Sequence, residues 1–562
     1  MDLTWEERRA AIRSEWAEWN PGTVADHFDL CAARWPDRPF VISEQGSATY
    51  RELVDLSWRH AAALARAGVE SGQRVGVMMA GGPGFMAVKV AAARLGALVV
   101  PLNYLLRPGE LRAVLASAHL QVLIVHARIA DVDIVGRLTE AGLGGPQGPT
   151  RLIVDGEWQD AGDGVEDLES YLRSPALDRD SLPTQGSGAL AEILYTSGST
   201  GIAKGALLRH QALLRESFGT ALTRGLTSGW RTMTALPTFH LFGYAQAVLP
   251  VTFVGGCVVA REKFDPVYEL KQIDELGVND VVCVPSMLHS LVDVAEQTEP
   301  RLDSLVGVFA AGDPVTEDLW IRAKRVLGIA EITNGYGMTE LSGTSFMLPP
   351  DAADEQLAHT VGLVKRAGHV GLPGHGGAQH EIRIVNPVSL EPVPAGEAGE
   401  LQYRGPNLFA GYWENPEETA RVFTHDGWFR SGDMGRLRPD GALVLTGRIK
   451  ELFRTGGELV SPSEVEAVLA EVDSVGTAYV VGVPDSIWGE VGWAFLVPAP
   501  GEEIIVEAVI QHCRERLAKY KVPREVRVLA RSDLPTTSSG KIQKADLVTR
   551  AQREARNSRG DT

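Results

Sequence analysis

Helical stretches alternate with short β-branched runs along most of this chain, and this alternation constrains the fold more than any other feature of the sequence. From Tyr50 onward the order is RELVDLSWRHAAALARAG, RVGVMMA, FMAVKVAAARLG and ALVVPLN. This rhythm is typical of βαβ units, which build parallel sheets covered by helices. Similar series run from LQVLIVHA to RLIVDG and from CVVA to AEITNGYG. We therefore predict an α/β protein with two doubly wound subdomains in its large N-terminal part.

The pattern of the sequence changes after about Gly371. The runs EIRIV, GELQYRG and ALVLTGRI are short strand patterns separated by turn residues, which predict a smaller β-rich subdomain. From Glu451 to about Thr549 the pattern returns to mixed helix and strand, and residues 551–562 are typical of a frayed tail. A small α+β domain is therefore expected at the C-terminal end.

The length and the net charge of the chain exclude several classes of protein. A chain of 562 residues exceeds one ordinary core, and its net charge of −18 argues against nucleic-acid or membrane-surface binding, which needs a Lys/Arg excess. The start has no signal-peptide pattern, and no stretch approaches the roughly 20 apolar residues of a spanning helix, so we expect a cytoplasmic protein. The four cysteines are too scattered for a disulfide framework or a zinc site.

The strongest single motif is YTSGSTGIAKG at residues 195–205, directly after an apolar strand pattern. Its glycines allow a tight turn that points backbone N–H groups at an anion, while hydroxyls and Lys204 add donors and positive charge. This composition suits a triphosphate. The loop is not a Walker A motif, because Ala203 precedes the lysine where that motif has glycine. The alternative is a flexible linker, which would not normally lie between a buried strand and the helix-forming run ALLRHQALLRESF.

This loop resembles the signature of the acyl-adenylating superfamily, which includes acyl-CoA synthetases, firefly luciferases and peptide-synthetase adenylation domains. Ala203 replaces the usual proline, which leaves every donor in place, and the resemblance continues in order from ATYREL near Tyr50 almost to the C-terminus. It implies ATP, Mg²⁺ and an acyl adenylate, with Thr200 as a catalytic residue and metal ligand. The ATP-binding residues implied in the loop are Thr196, Ser197, Gly198, Ser199, Thr200, Gly201 and Lys204.

Two further motifs resemble nucleotide-binding segments of the same family. NGYGMTE at residues 334–340 implies that Tyr336 stacks on adenine, Thr339 touches the α-phosphate and the catalytic Glu340 binds magnesium. One carboxylate agrees with nucleotide-bound Mg²⁺, whose other ligands are phosphate and water. The alternative for Glu340 is a surface acid at the start of a helix. AAGDPV at residues 310–315 has Asp313 in place of the commoner alanine. The ATP-binding residues implied here are Gly312, Asp313, Asn334, Gly335, Tyr336, Gly337 and Thr339.

The C-terminal part carries the other implied nucleotide contacts. GWFRSGDMG at residues 427–435 presents Asp433 in a tight turn, where its carboxylate can accept hydrogen bonds from the ribose hydroxyls. Arg448 is the second implied ribose or phosphate contact. PTTSSGKIQK at residues 535–544 resembles the catalytic loop that places Lys541 between the attacking carboxylate and the α-phosphate of ATP. Taken alone, each would be an ordinary surface charge.

In the resembling family a small C-terminal domain swings between two half-reactions. The resemblance implies an adenylation domain over residues 1–447, a hinge over 448–450 centred on Lys450, and a mobile domain over 451–550. Gly456 and Gly457 of RTGGELVSPSEVE would then lie beside the coenzyme A thiol. This junction lacks the insertion that blocks rotation in fatty acyl-AMP ligases, which favours thioester formation.

PTFHLFG at residues 237–243 resembles the stretch that meets the substrate carboxylate, with a catalytic His240 at its centre. A satisfied core histidine is the alternative. Amino-acid-activating relatives have an aspartate in this stretch and this chain has none, so an α-amino acid is a poor candidate. The surrounding stretches are largely apolar, which indicates an uncharged alkyl or aryl acid. The implied acyl-pocket residues are His240, Gly243, Ser286, Ala311, Gly337 and Met338.

The sequence thus predicts an AMP-forming acid–thiol ligase whose partners are a small carboxylic acid, ATP and coenzyme A. Neither nucleic acid nor stable membrane insertion is expected, and a homodimer is left open. Alternatives within the family are transfer to an amine or a carrier-protein thiol, or luciferase-type light emission. Outside it, Gly82, Gly84 and Ala87 spell a dinucleotide fingerprint, but the acid expected on the next strand is missing.

Overall fold

The structure is a computed structural model that describes residues 3–143, 149, 151–156, 165–175, 177–179, 182, 184–196, 203–313, 315–499, 501–536 and 542–559. The chain divides into two compact units, one of residues 1–381 and 404–427, the other of residues 382–403 and 428–562. The hinge at residues 448–450 stays a prediction.

The first unit alternates helices and strands as the sequence predicts. Its helices are α1 (Trp5–Glu15), α2 (Val24–Arg34), α3 (Tyr50–Arg66), α4 (Pro83–Leu95), α5 (Pro108–Ala118), α6 (Ile134–Glu140), α7 (Leu168–Tyr171), α8 (His210–Arg224), α9 (Leu241–Gly243), α10 (Leu249–Thr252), α11 (Pro266–Leu276), α12 (Pro285–Thr298), α13 (Glu317–Leu327), α14 (Asp354–His359) and α15 (Pro416–Val422). Its strands are β1 (Pro39–Ser43), β2 (Gly46–Thr49), β3 (Arg74–Met78), β4 (Leu98–Pro101), β5 (Leu120–His126), β6 (Arg128–Ile129), β7 (Val132–Asp133), β8 (Arg151–Asp155), β9 (Val165–Asp167), β10 (Leu190–Thr196), β11 (Lys204–Arg209), β12 (Arg231–Thr234), β13 (Cys257–Ala260), β14 (Asp280–Cys283), β15 (Gly307–Ala310), β16 (Glu331–Thr333), β17 (Gly335–Met338), β18 (Gly343–Met347) and β19 (Leu363–Val364).

Two seven-stranded sheets form the framework of this unit. The first has the order β16-β15-β14-β12-β13-β1-β2 and the second the order β11-β10-β4-β3-β5-β8-β9. Neighbours are parallel except for the edge pairs β1/β2 and β10/β11. Strands β13, β14 and β15 are buried at every residue, as expected when helices cover both faces of a parallel sheet. The predicted pair of doubly wound subdomains is confirmed.

The second unit contains two smaller sheets. Its helices are α16 (Pro462–Leu469), α17 (Val506–Arg516) and α18 (Lys544–Arg559). Its strands are β20 (Glu381–Val385), β21 (Gly399–Arg404), β22 (Phe429–Leu437), β23 (Leu443–Arg448), β24 (Phe453–Thr455), β25 (Glu458–Val460), β26 (Val475–Asp485), β27 (Gly489–Pro498) and β28 (Glu525–Val528). Strands β20 to β23 form one sheet in sequence order, while β25-β24-β27-β26 form the other, with β28 beside β27. The β-rich subdomain and the small α+β domain are confirmed. Among the described residues, no helix is both long enough and apolar enough to cross a membrane.

Buried histidines make the stability of the first unit depend on pH. Burial lowers the pKa of His27, His60 and His380 to about 3 and that of His210 to about 4, because the imidazolium form is disfavoured away from water. Unfolded histidine has a pKa of about 6.5, so between these values the unfolded chain binds more protons. Acidification to about pH 5 should therefore favour unfolding by up to about 2 kcal/mol per histidine, lowering the melting temperature.

The matched test compares two histidine variants. His60→Leu should flatten the fall of melting temperature with acidification, because the buried group that must be protonated is gone. The same change at His425, which is exposed, should leave the profile as it is. A wild-type melting temperature that does not change between about pH 7 and about pH 5 would contradict the expectation.

Candidate active site

Three predicted motifs and the implied pocket residue Ser286 lie at one edge of the first sheet. Strands β12, β14, β15 and β16 are parallel neighbours, so their carboxyl ends lie at the same edge. They lead into residues 237–243, 284–286, 311–313 and 334–340, respectively. Ligands of open α/β sheets bind at this edge, which explains why residues so far apart in sequence can form one site.

The predicted phosphate loop is a connection between two antiparallel strands. Thr196, the last residue of β10, pairs with Lys204, the first residue of β11. Ser197, Gly198, Ser199, Thr200 and Gly201 lie outside the described residues. The run ALLRHQALLRESF is not helical throughout, because its first four residues belong to β11 and α8 begins only at His210. Pairing with β10 overrides the helix preference of Ala and Leu in that part.

Lys204 is held by a carboxylate at the end of this loop. Its ammonium forms an ion pair with Glu418 of α15 and lies 5.4 Å from the ring centroid of Tyr412. The hydrogen bond from Lys204 keeps the pKa of Glu418 below its usual value. The first unit thus contains a charge-balanced lysine beside the predicted triphosphate position.

The motif at residues 334–340 forms a hairpin strand and a turn. Strand β17 pairs with β18, and a 3-10 turn, Thr339–Leu341, connects them together with Ser342. A Cβ at Gly337 would lie 1.9 Å from the Gly343 carbonyl oxygen, so glycine is required for the two strands to approach. Asn334 donates through Nδ2 to the carbonyls of Leu357 and Thr360, which anchors the hairpin to the end of α14.

Glu340 is buried and hydrogen-bonded at the end of this hairpin, which contradicts its reading as a surface acid. Its side-chain carboxylate accepts a hydrogen bond through Oε1 from the hydroxyl of Tyr412 at 2.8 Å, and its backbone carbonyl accepts one from the Phe409 N–H at 2.9 Å. Burial and the neighbouring carboxylate raise the pKa of Tyr412, so its hydroxyl stays a donor. Tyr412 is 72 positions from Glu340 and carries no charge, so no sequence motif points to it.

The carboxylate of Glu340 fits one ligand position of a nucleotide-bound Mg²⁺. Within the described ranges, no group of three or more His, Cys, Asp and Glu side chains could hold a metal ion by itself. Mg²⁺ in nucleotide sites takes one or two carboxylates and completes its octahedron with phosphate and water oxygens. A single buried carboxylate beside Thr339 therefore suits a metal that arrives with the triphosphate.

His240 caps the short helix α9. Its Nδ1 accepts a hydrogen bond from the Phe242 N–H at 3.2 Å, so in the neutral ring the proton is on Nε2. A π-helical turn, Tyr244–Val248, follows directly. Such turns are frequent at functional sites. A Cβ at Gly243 would lie 2.5 Å from the Pro237 carbonyl oxygen, so this glycine lets the turn close on itself.

An apolar cluster follows the same sheet edge. The rings of Phe242 and Phe309 meet edge to face, with centroids 5.5 Å apart. The other members are Leu236, Ala247, Val282, Val284, Met287, Ala311 and Met347. Ala311, a predicted pocket residue, thus belongs to this cluster. Ser286 is exposed in the first turn of α12, and Met338 is half-buried in β17.

Asp433 and Arg448 lie opposite each other in the second unit. They are paired across β22 and β23, and the Arg448 Nε is 3.0 Å from an Asp433 carboxylate oxygen. The prediction of a tight turn at Asp433 is wrong, because the residue lies within β22. The ion pair orients a buried carboxylate beside a half-exposed guanidinium, an arrangement able to receive hydroxyl and phosphate groups.

Gly456 and Gly457 form the turn between β24 and β25. Both have positive φ, 63° and 90°, which favours glycine at two successive positions of a hairpin. A Cβ at Gly457 would meet no described atom within 4 Å, whereas one at Gly456 would lie 2.9 Å from the Trp488 ring. The described surroundings of Gly457 therefore leave space beside the backbone. Lys450, the predicted hinge, lies in the 3-10 turn Ile449–Glu451.

Lys541 lies outside the described residues, but both ends of its loop are held together. Thr536 and Ile542 form an isolated antiparallel bridge, and the Gln543 N–H donates to the Pro535 carbonyl at 2.8 Å. At the start of α18, Lys544 forms ion pairs with Glu451 and Glu466 at 3.0 and 2.8 Å. The residues at the two ends of this loop are therefore held in place within the second unit.

Little space surrounds the backbone at the glycines of the dinucleotide fingerprint. Gly82 caps α4, and a Cβ there would lie 2.8 Å from the Ser43 hydroxyl. A Cβ at the neighbouring Gly81 would lie 2.7 Å from the Thr238 hydroxyl. Side chains of other segments thus pack where a pyrophosphate would have to approach the backbone.

Comparison with known proteins supplies independent findings. The model of the AMP-binding enzyme family matches residues 28–413, and that of the AMP-binding enzyme C-terminal domain matches residues 464–541. Feruloyl-CoA synthase of an Amycolatopsis species is 35% identical over 92% of this chain and 98% of its own length. The 3-[(3aS,4S,7aS)-7a-methyl-1,5-dioxo-octahydro-1H-inden-4-yl]propanoyl:CoA ligase of Mycobacterium tuberculosis is 32% identical over 93% of this chain and 98% of its own. A solved anthranilate CoA ligase in complex with anthranoyl-AMP superposes with a TM-score of 0.82, at 22% identity, over 96% of this chain and 99% of that one, which supports the fold.

Proposed function

Because this chain belongs to the AMP-binding enzyme family, we propose that it activates an apolar, ring-bearing carboxylic acid with ATP and transfers the acyl group to coenzyme A. It is an AMP-forming acid–thiol ligase that uses ATP, Mg²⁺ and coenzyme A. The observation that carries the acid class is the apolar cluster around Phe242 and Phe309 beside His240. The two relatives compared by sequence are also named for acids that contain rings.

The first half-reaction joins the acid to AMP. A carboxylate oxygen attacks the α-phosphorus, and the bond to pyrophosphate breaks as the new O–P bond forms. In our proposal, Lys204 and the hydroxyls of its loop hold the leaving phosphates, and Nε2–H of His240 donates to the acid. Lys541 stabilises charge that develops at the α-phosphate. Glu340 would hold Mg²⁺, which neutralises phosphate charge when bound.

The second half-reaction transfers the acyl group to sulfur. The sulfur of coenzyme A forms a bond to the acyl carbon as its proton passes to water, and the bond between that carbon and the phosphate oxygen breaks to release AMP. We propose that the C-terminal domain turns about Lys450 and that the Gly456–Gly457 turn flanks the thiol, since Gly457 offers backbone without a side chain. Asp433 and Arg448 bind the ribose in this scheme. A cytoplasmic location suits an enzyme that consumes ATP and coenzyme A.

The test of this function is acid-dependent pyrophosphate release, measured with mass detection of the products. Ferulate, phenylacetate, hexanoate and phenylalanine are compared with and without coenzyme A. We expect kcat/KM for the aryl acids to exceed that for phenylalanine by about 100-fold or more, because a buried ammonium without a partner carboxylate is penalised. With coenzyme A present, the product should be the thioester.

Two outcomes would contradict parts of this proposal. If acyl-AMP accumulates and coenzyme A leaves its amount unchanged, the acceptor is an amine or a carrier-protein thiol, although adenylation stands. If hexanoate is used better than every aryl acid, the ring preference is wrong.

A further inference from the structure

We infer that Tyr412 is a positioning residue for the magnesium ligand Glu340 and that it fixes the carboxylate before ATP arrives. The inference rests on the proposed role of Glu340. The hydroxyl of Tyr412 donates to Oε1 of Glu340 at 2.8 Å, and the two residues are only 8% and 7% exposed. A donor of fixed position on one carboxylate oxygen restricts the orientation of the whole group.

The backbone around Tyr412 is itself fixed between two parts of the site. On one side, the Phe409 N–H donates to the Glu340 carbonyl. On the other, residues 410–413 pair with β11, which follows the phosphate loop. The contacts are Leu207 N–H to the Gly411 carbonyl (3.0 Å), Ala410 N–H to the Leu207 carbonyl (2.8 Å) and Trp413 N–H to the Gly205 carbonyl (2.7 Å). Tyr412 thus connects β11 to the Glu340 carboxylate through backbone and side-chain hydrogen bonds.

The backbone and the ring of Tyr412 make contacts that do not involve its hydroxyl. The Tyr412 N–H donates to the Thr419 hydroxyl at 2.9 Å, and the ring meets Phe409 edge to face at 4.9 Å. These contacts would persist in phenylalanine. The hydroxyl contact with Glu340 would not. Partners that orient a metal ligand typically contribute about 10- to 100-fold to metal affinity or activity.

The experiment measures ATP binding to Tyr412→Phe by calorimetry, with and without Mg²⁺ and with no acid present. The gain in ATP affinity on adding Mg²⁺ should fall about tenfold relative to the wild type, while metal-free ATP affinity should stay within about twofold. The Mg²⁺ concentration for half-maximal pyrophosphate release should rise by a similar factor. Saturating Mg²⁺ should restore kcat, because the carboxylate is still present.

Two controls separate this effect from packing. Tyr171→Phe removes a buried hydroxyl that makes no hydrogen bond to any described group, and it should leave the Mg²⁺ dependence unchanged. In a Glu340→Ala background, Tyr412→Phe should have no further effect, because the two residues would act as one unit.

The outcomes distinguish the inference from the function on which it rests. If Glu340→Ala alters the Mg²⁺ dependence and Tyr412→Phe does not, the inference is overturned. It is also overturned if Tyr412→Phe weakens ATP binding equally with and without Mg²⁺. If Glu340→Ala itself has no effect on the Mg²⁺ dependence, the proposed metal ligand is wrong, and the role of Tyr412 fails with it.

Discussion

Replacing Lys541 with alanine should slow acyl-adenylate formation by about 100- to 1,000-fold. Negative charge moves between the carboxylate, the α-phosphate and pyrophosphate in this step, and a lysine placed there stabilises the transition state more than the bound substrates. The thiol attack on a supplied acyl-AMP forms no such phosphoryl transition state. It should therefore slow by less than about tenfold.

Rapid-quench single-turnover measurements of each half-reaction can separate the two effects. The first starts from acid and ATP, the second from synthetic acyl-AMP and coenzyme A. Lys271→Ala, which changes an exposed lysine of α11, serves as the control and should affect neither step. Equal losses in both half-reactions of the Lys541 variant would remove this residue from a role specific to adenylation.

Replacing Lys365 with methionine should destabilise the protein by about 3–5 kcal/mol. Lys365 and Glu216 form an ion pair in which both side chains have 0% exposure. The same carboxylate oxygen accepts from the Thr344 N–H and the Gln246 amide, each at 2.8 Å. Removing the lysine leaves a buried carboxylate without its counter-charge. Because Thr344 lies in β18, the hairpin that carries Glu340 should loosen as well.

Thermal unfolding of matched variants checks this expectation. The double variant Glu216→Gln with Lys365→Met should recover much of the loss, since no unpaired charge remains. Lys271→Met breaks an exposed pair with Glu275 and should change stability by less than about 1 kcal/mol. A Lys365→Met protein as stable as the Lys271→Met protein would show that the buried pair contributes little.

Local patterns predicted the framework of this protein well. The alternation of helix and strand periods identified the two doubly wound sheets. That three of the predicted motifs follow neighbouring strands at one sheet edge became evident only from the structure. Two local predictions were wrong at positions where pairing with a neighbouring strand determines the conformation. Residues 206–209 have a helical composition but join β11, and Asp433 has turn-forming neighbours but lies in β22. In both cases the partner strand supplies hydrogen bonds that outweigh local preference.

Contacts between distant segments were beyond sequence reasoning. Lys365 and Glu216 are 149 positions apart, and Tyr412 and Glu340 are 72 apart. Neither Tyr412 nor Glu216 stands in a motif with a chemical rationale of its own. Each acquires its importance from the residue that folding places beside it, so one sequence without relatives gives no signal for the pair.

Gly337 limits how this enzyme could be redesigned or could diverge. The space that a side chain would need at this position is filled by the Gly343 carbonyl, 1.9 Å from where a Cβ would stand. Enlarging the residue would therefore separate β17 from β18 and displace Glu340. In the acyl pocket that we propose, acid size would have to vary through flexible side chains such as Phe242 and Met287, because position 337 accommodates only glycine.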